Sequence, residues 1–338
     1  MRLKPAAHSK TSEATQEPTL SDLPPQEAIS QSESLAIEPQ ELTPKPTQSK
    51  PISSQCKINS QWKKTLTITA MPRLIPHQSN AGNFYQAETH IPKMLATELD
   101  KRIGVESRLI PQTLMSLDEE KKRRLTQAIA MQQGTQFVLQ GEILDMSMRD
   151  NSSVYSPGFL QSLRNHFTDI SLMKFTDNRN RIFSLRLELR DGFTGELLVA
   201  ESFNTNGIWK NPDPVGFSSE AVWQSQYGRR IKKLIQKAGS KIANNLQCQP
   251  YMARVEVYPG QTELLLQGGA NNGLHPGDAL KLYQLVVMAS PSHYDSYQTR
   301  LIKRELQLEL KEVYPSHSLA QLQGNDLLQG QYLAVGEE

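Results

Sequence analysis

Apolar residues alternate with a period of two in some stretches of this chain and recur every three or four residues in others. "KKTLTITAMP", from Lys63, alternates with Leu66, Ile68 and Ala70 on one face, which predicts a strand that Pro72 ends. "AGNFYQAETHIPKMLATELDKRI" has helical spacing at Ile91, Leu95 and Leu99, and Pro92 is expected to kink or restart the helix. "VESRLI", from Val105, is a short strand. "SLDEEKKRRLTQAIAMQQ" is a helix with a Ser116/Glu119 capping box and a buried stripe of Leu125, Ala128 and Ile129. "TQFVLQGEILDMSM", from Thr135, is a strand.

The stretch from Arg149 to Arg181 has no sustained period, beyond a short helix expected at "GFLQSLRNHF". Loops of that length inside a compact domain are usually functional or disordered. "RIFSLRLELRDGFTGELLVAESF" is the clearest local signal: Leu185, Leu187 and Leu189 face one way, and Arg186, Glu188 and Arg190 the other. Asp191-Gly192 and Gly195 supply positive-φ positions for the connection, giving a half-buried hairpin. A long amphipathic helix follows, with Trp223, Tyr227, Ile231, Leu234, Ala238, Ile242 and Leu246 on one side.

After Cys248 and Pro250 the pattern changes to short strands: "ARVEVY", "TELLLQ", "DALKLYQL", "RELQLELKEVY" and "YLAVG". Such strands in under ~90 residues predict a small barrel or sandwich. Residues 1–53 are rich in Ser, Thr, Gln, Glu and Pro, lack aromatic residues and read as a disordered tail. The fold class expected is α+β, with a tail over 1–53, a mixed domain over 54–250 and an all-β domain over 251–338.

Candidate chemistry changes this picture little. Lys plus Arg number 37 and Asp plus Glu 35, so there is no basic footprint for nucleic acid. The "KKRR" run at Lys121–Arg124 follows three acids on a capped helix and reads as a solvated face. No apolar run reaches the ~18 residues of a membrane span. "GGANNGLHPGDALKLY" has the glycines of a phosphate loop, but Gly273 precedes Leu274 and Gly277 precedes Asp278, where such a loop needs Lys. It reads as a turn that launches a strand. The seven histidines form no HExxH pair, and no G-x-S-x-G elbow is present. "DNRN" at Asp177 lacks the glycine and distal glutamate of a calcium loop, and no nucleophile accompanies His166 and Asp169. No catalytic, cofactor-binding or metal-binding residue is assigned. An enzyme would need an unseen site, such as a hydrolase using Asp or Glu of the long loop. The two cysteines, Cys56 and Cys248, are too few for a zinc site and leave two readings open: unrelated buried thiols or one long-range disulfide.

"LTITAMPRLIPHQSNAGNFYQAETHIPKMLATEL", "IFSLRLELRDGFTGELLVAESF", "GIWKNPDPV", "VWQSQYGRRIKKLIQ" and "LQCQPYMARVEVYPGQTELLLQGGANNGLHPGDAL" together resemble the flagellar assembly protein T family over about Ser54–Glu338. The resemblance implies a middle domain similar to the N-terminal domain of TolB, then a small β-rich C-terminal domain. It also implies a non-enzymatic periplasmic role in the H ring of the sodium-driven polar flagellar motor. The partners it implies are further copies of the chain in a ring, the outer-ring proteins, and the MotX/MotY T ring that supports stator assembly. No nucleic acid, small-molecule substrate or cofactor is implied. The family places cysteines where Cys56 and Cys248 bracket the middle domain, which implies a disulfide between them. The family has a signal peptide and a further N-terminal domain; "MRLKPAAHSK" is followed by no apolar stretch, so an upstream start or a shortened relative is expected. The alternative function is a TolB-like periplasmic interaction module of another envelope complex.

Overall fold

The structure is a computed structural model that describes residues 61–75, 84–114, 118–148, 154, 157–169, 177–257, 263–289, 297–324 and 328–336. Ser54–Glu338 is one compact unit. Its first part is a five-stranded sheet in the order β3-β1-β4-β5-β6. Strands β1 (Thr65–Thr69), β3 (Glu106–Ile110) and β4 (Phe137–Asp145) run parallel, while β5 (Asn180–Asp191) and β6 (Leu197–Ile208) continue it antiparallel. A second, two-stranded parallel sheet pairs β2 (Phe84–Tyr85) with β7 (Val215–Gly216). The helices are α1 (Ala87–Ile103), α2 (Glu119–Gln133), α3 (Phe159–Asp169), α4 (Glu220–Gln224) and α5 (Gln226–Gln247). The second part is a closed barrel of β8 (Tyr251–Glu256), β9 (Glu263–Leu266), β10 (Ala279–Ala289), β11 (Tyr297–Val313), β12 (Ser318–Gln323) and β13 (Gln331–Gly336). The protein is therefore α+β.

The alternating leucines do what their period dictates. Leu66, Ile68, Leu185, Leu187 and Leu189 are fully buried under α1 and α5. Helix α1 continues through Pro92. Pro92 lacks the amide that would bond the Glu88 carbonyl, but the Met71 backbone N–H donates to that oxygen at 3.0 Å. The expected restart does not occur, and the carbonyl that Pro92 leaves free is bonded from a neighbouring segment.

Helix α2 departs from the expected pattern. Its cap is Asp118, whose carboxylate accepts from the Lys121 N–H at 2.8 Å; Ser116 lies outside the described residues. Leu125 and Ala128 are exposed, and the buried residues are Lys122, Thr126, Ile129 and Ala130. The reason is the sheet face below, where Glu188 is 4% and Arg190 1% exposed. Glu188 accepts from Gln140 at 2.6 Å and pairs with Arg190 at 3.1 Å, Arg186 at 3.0 Å and Lys122 at 3.5 Å. Arg190 also reaches Glu119 at 2.7 Å. The "KKRR" run is thus not all solvated, since Lys122 belongs to this buried network and Arg123 pairs with Glu120 at 2.8 Å.

The helix expected from Ser218 to Leu246 breaks at Ser225, whose extended backbone ends α4 and whose hydroxyl caps α5 by accepting from the Gly228 N–H at 2.9 Å. In the β5–β6 connection only Gly195 has a positive φ, at 73°. Asp191 organises that turn by accepting from the Phe193 and Thr194 N–H groups, both at 2.8 Å. The barrel has one strand more than the sequence pattern suggested: β12 escaped notice because the residues it buries are the small Ser318 and Ala320.

The two parts interlock. Trp62, just before β1, lies in the barrel core, 6.0 Å from the Tyr251 ring, and its Nε1 donates to Asp278 at 3.3 Å. Gly336 makes room for it; a Cβ there would sit 2.1 Å from the indole. The "GGANNG" turn is a structural clasp. The Asn272 carbonyl accepts from the Lys63 N–H at 2.8 Å, and its side-chain amide donates to Glu106 at 2.8 Å. Gln136 bonds the Pro250 carbonyl at 2.7 Å and the Met252 N–H at 3.2 Å. Phe193, at the β5–β6 turn, is buried with Met252, Leu285, Leu333 and Val335 of the barrel wall.

Candidate assembly surface

The long aperiodic stretch forms an insertion between β4 and β5, and its described helix is α3. Helix α3 has no buried residue: Phe159 is 79%, Leu160 81% and Leu163 38% exposed. Isolated exposed apolar residues are ordinary, but three on adjoining positions of one helix form a patch of the kind that partners cover.

The root of the insertion is held by hydrogen bonds and ion pairs. Ile182 N–H donates to the Ser147 carbonyl at 2.8 Å, joining its two ends. The buried Arg181 donates from Nε to the Met146 carbonyl at 2.8 Å and lies 4.2 Å over the Phe84 ring. Arg179, 5% exposed, forks onto Asp169 at the end of α3, with bonds of 2.8 and 3.2 Å. It also donates to Asp177 from Nε at 2.9 Å and from Nη2 at 2.8 Å. Lys210 reaches Asp169 as well. Asp177 of "DNRN" is therefore one jaw of an arginine clamp. Asp169, noted beside His166, is the other jaw, while His166 is exposed and outside it.

The clamp sets the ionisation of its carboxylates. The Arg179 hydrogen bonds hold Asp169 down at about 2, against the cost of its partial burial. Burial pushes Asp177 upward, yet the bonds from Arg179 outweigh it and the net shift is downward. Both groups titrate lower in the folded chain than in the unfolded one. Their contribution to docking α3 is thus fully present above the unfolded value of ~3.9, and for Asp169 it is lost as pH falls towards about 2. Amide protection across α3, corrected for intrinsic exchange, should be constant from about pH 7 to about pH 5 and fall progressively from about pH 4 towards about pH 2. Asp169→Asn should lower that protection already at neutral pH; protection unchanged in this variant would refute the clamp.

Beside the clamp lies a cleft of about 630 Å³, walled by Asp169, Trp209, Lys210, Gln224, Gln226 and Arg229 among others. Among the described residues, no three His, Cys, Asp or Glu side chains come together as a metal-ligand set. No helix among them is long and apolar enough to cross a membrane. Cys248 sits at the C-terminal cap of α5, and Cys56 lies outside the described residues.

Fold and surface define an α+β protein that carries an exposed apolar helix on a clamped insertion. Residues 54–218 match the family profile described as flagellar assembly protein T, middle domain, and that segment belongs to the flagellar assembly protein T family. A search of curated proteins finds no significant match. Among solved structures, the chain is similar to the PelC dodecamer from Paraburkholderia phytofirmans, with 11% identity over 58% of this chain and 95% of that one and a TM-score of 0.31. It is also similar to the hypothetical protein CT253 from Chlamydia trachomatis, with 11% identity over 54% of this chain and 98% of that one and a TM-score of 0.37. For TolB from Acinetobacter baumannii the values are 9%, 78%, 61% and 0.25. These scores are too low to establish a common fold.

Proposed function

We propose that this chain is a non-enzymatic structural component of the H ring of the flagellar basal body. It acts in the periplasm, self-associates around the outer rings and supports the MotX/MotY T ring and, through it, the stators. Residues 54–250 and 251–338 serve as its middle and C-terminal domains. One observation supports this reading above others: a helix that offers Phe159, Leu160 and Leu163 to solvent from a root fixed by buried arginines. A clamped mount for an apolar patch suits contact with another protein. The double variant Phe159→Asp, Leu160→Asp alters side chains that carry no core packing. It should melt within about 2 °C of the parent, yet fail to restore rings and swimming in a strain lacking the gene. Full restoration by the folded variant would remove the insertion from the interface.

In this reading Cys56 and Cys248 form a disulfide. Closing a loop of about 190 residues contributes ~5 kcal/mol in the chain-entropy model, less if the bond is strained. In periplasmic extract both cysteines should take up maleimide only after reduction, and labelling of both without reductant would rule the bond out.

A further inference from the structure

We propose that the outer face of α5 is a docking surface for an acidic segment of a partner protein. Helix α5 contains no Asp or Glu, and Arg229, Arg230, Lys232, Lys233, Lys237 and Lys241 are all exposed. Four of them, Arg229, Lys233, Lys237 and Lys241, follow one another at i, i+4, i+8 and i+12. They form one ridge whose backbone positions rise about 6 Å per step over roughly 18 Å. Lys241 meets Glu201 at 3.2 Å. Among the described residues, no carboxylate lies within ion-pair distance of Arg230, Lys233 or Lys237.

A ridge of like charges four residues apart destabilises its own helix, so folding gains nothing from it. The chain as a whole is nearly balanced, at +2, which makes the concentration on one helix a local feature. The occupant is defined by complement. The apolar side of α5 is consumed by the core through Ile231, Leu234, Ile235, Ala238, Ile242 and Leu246, so nothing apolar is left to enter a bilayer. The neutral positions on the ridge's side include Gln226, Gln236, Ser240, Asn244 and Gln247, with no aromatic platform on which bases would stack. A protein segment with carboxylates repeating at ~6 Å fits, either as a helix with acids four apart or as a strand with acids at alternate positions. That the partner is a protein rests on the reading of this chain as an assembly protein; that the ridge takes closely spaced carboxylates does not.

The test uses the full chain and a fluorescent oligoglutamate of about 20 residues, long enough to cover the ridge. Fluorescence anisotropy should show binding that weakens as salt rises from ~50 to ~200 mM. Lys233→Glu, Lys237→Glu should weaken it by about tenfold or more, while Arg300→Glu, Lys303→Glu on the barrel leaves it unchanged. If charge reversal impairs folding, Lys233→Gln, Lys237→Gln replaces it, with a smaller loss in the same direction. Three results would overturn the proposal: no binding, equal loss in both sets of variants, or tighter ridge-dependent binding of an oligodeoxynucleotide or of phosphatidylglycerol vesicles. A failure of the ring reading shows itself instead in normal swimming of a deletion strain, which leaves these titrations untouched.

Discussion

Trp62→Ala is expected to cost about 3–5 kcal/mol, the range for deleting a buried large aromatic side chain. The side chain is 7% exposed and belongs to the barrel core, although its backbone precedes the first strand of the sheet. Its removal leaves a cavity against Tyr251 and the backbone of Gly336, and it deprives Asp278 of an indole donor. The barrel and the sheet part share this plug, so its loss should also lower their cooperativity. Denaturant unfolding of the parent should be a single transition, whereas the variant should show an early barrel transition or a reduced slope. Trp62→Phe should retain most of the stability. A loss under ~1 kcal/mol for Trp62→Ala would mean that the barrel holds without its plug.

Glu188→Ala should cost about the same, ~3–5 kcal/mol, for an electrostatic reason. Glu188 is the anion on which Arg190, Arg186, Lys122 and Gln140 converge, and Arg190 is 1% exposed. Removing one partner of a buried ion pair leaves the remaining charges desolvated and undercompensated. Lys122→Ala alone should be milder, because it removes one of several cations around the anion. The double variant should cost less than the sum of the singles by ~1 kcal/mol or more, since the two changes share one interaction. Additive losses would show that the pair at 3.5 Å carries no coupling.

These two sites also show what the amino-acid order alone reveals. The alternation of Leu185, Leu187 and Leu189 placed them inside correctly, because a strand's period of two needs no knowledge of its neighbours. The opposite residues, Glu188 and Arg190, read as solvent-facing; they are buried because α2, about sixty positions earlier, covers them with Lys122 and Thr126. Leu125 and Ala128 are exposed, contrary to the apolar stripe, because α2 is turned so that Lys122 and Thr126 meet the polar patch while Ile129 and Ala130 pack with Leu114 and Val138. Pro92 was read as a kink or restart because the Met71 amide that replaces its missing bond comes from another segment.

The candidate surface was legible in outline only. The length of the 149–181 stretch marked it, and "GFLQSLRNHF" marked its helix, which runs over Phe159–Asp169. The clamp of Arg179 on Asp169 and Asp177 is not a local motif. It joins the end of a helix to the start of the returning strand, and only the fold brings these together. The basic residues of α5 stand in plain view in "GRRIKKLIQKAGSK", but they resolve into a ridge only once the helix phase is set by the buried Ile231, Leu234, Ala238 and Ile242.

Electron microscopy of polar basal bodies from a strain lacking this gene is the most direct test of the H-ring role. If that role is right, the outer ring is absent, swimming is poor, and the gene supplied in trans restores both. Intact rings and normal swimming would contradict it and assign the protein to another envelope complex.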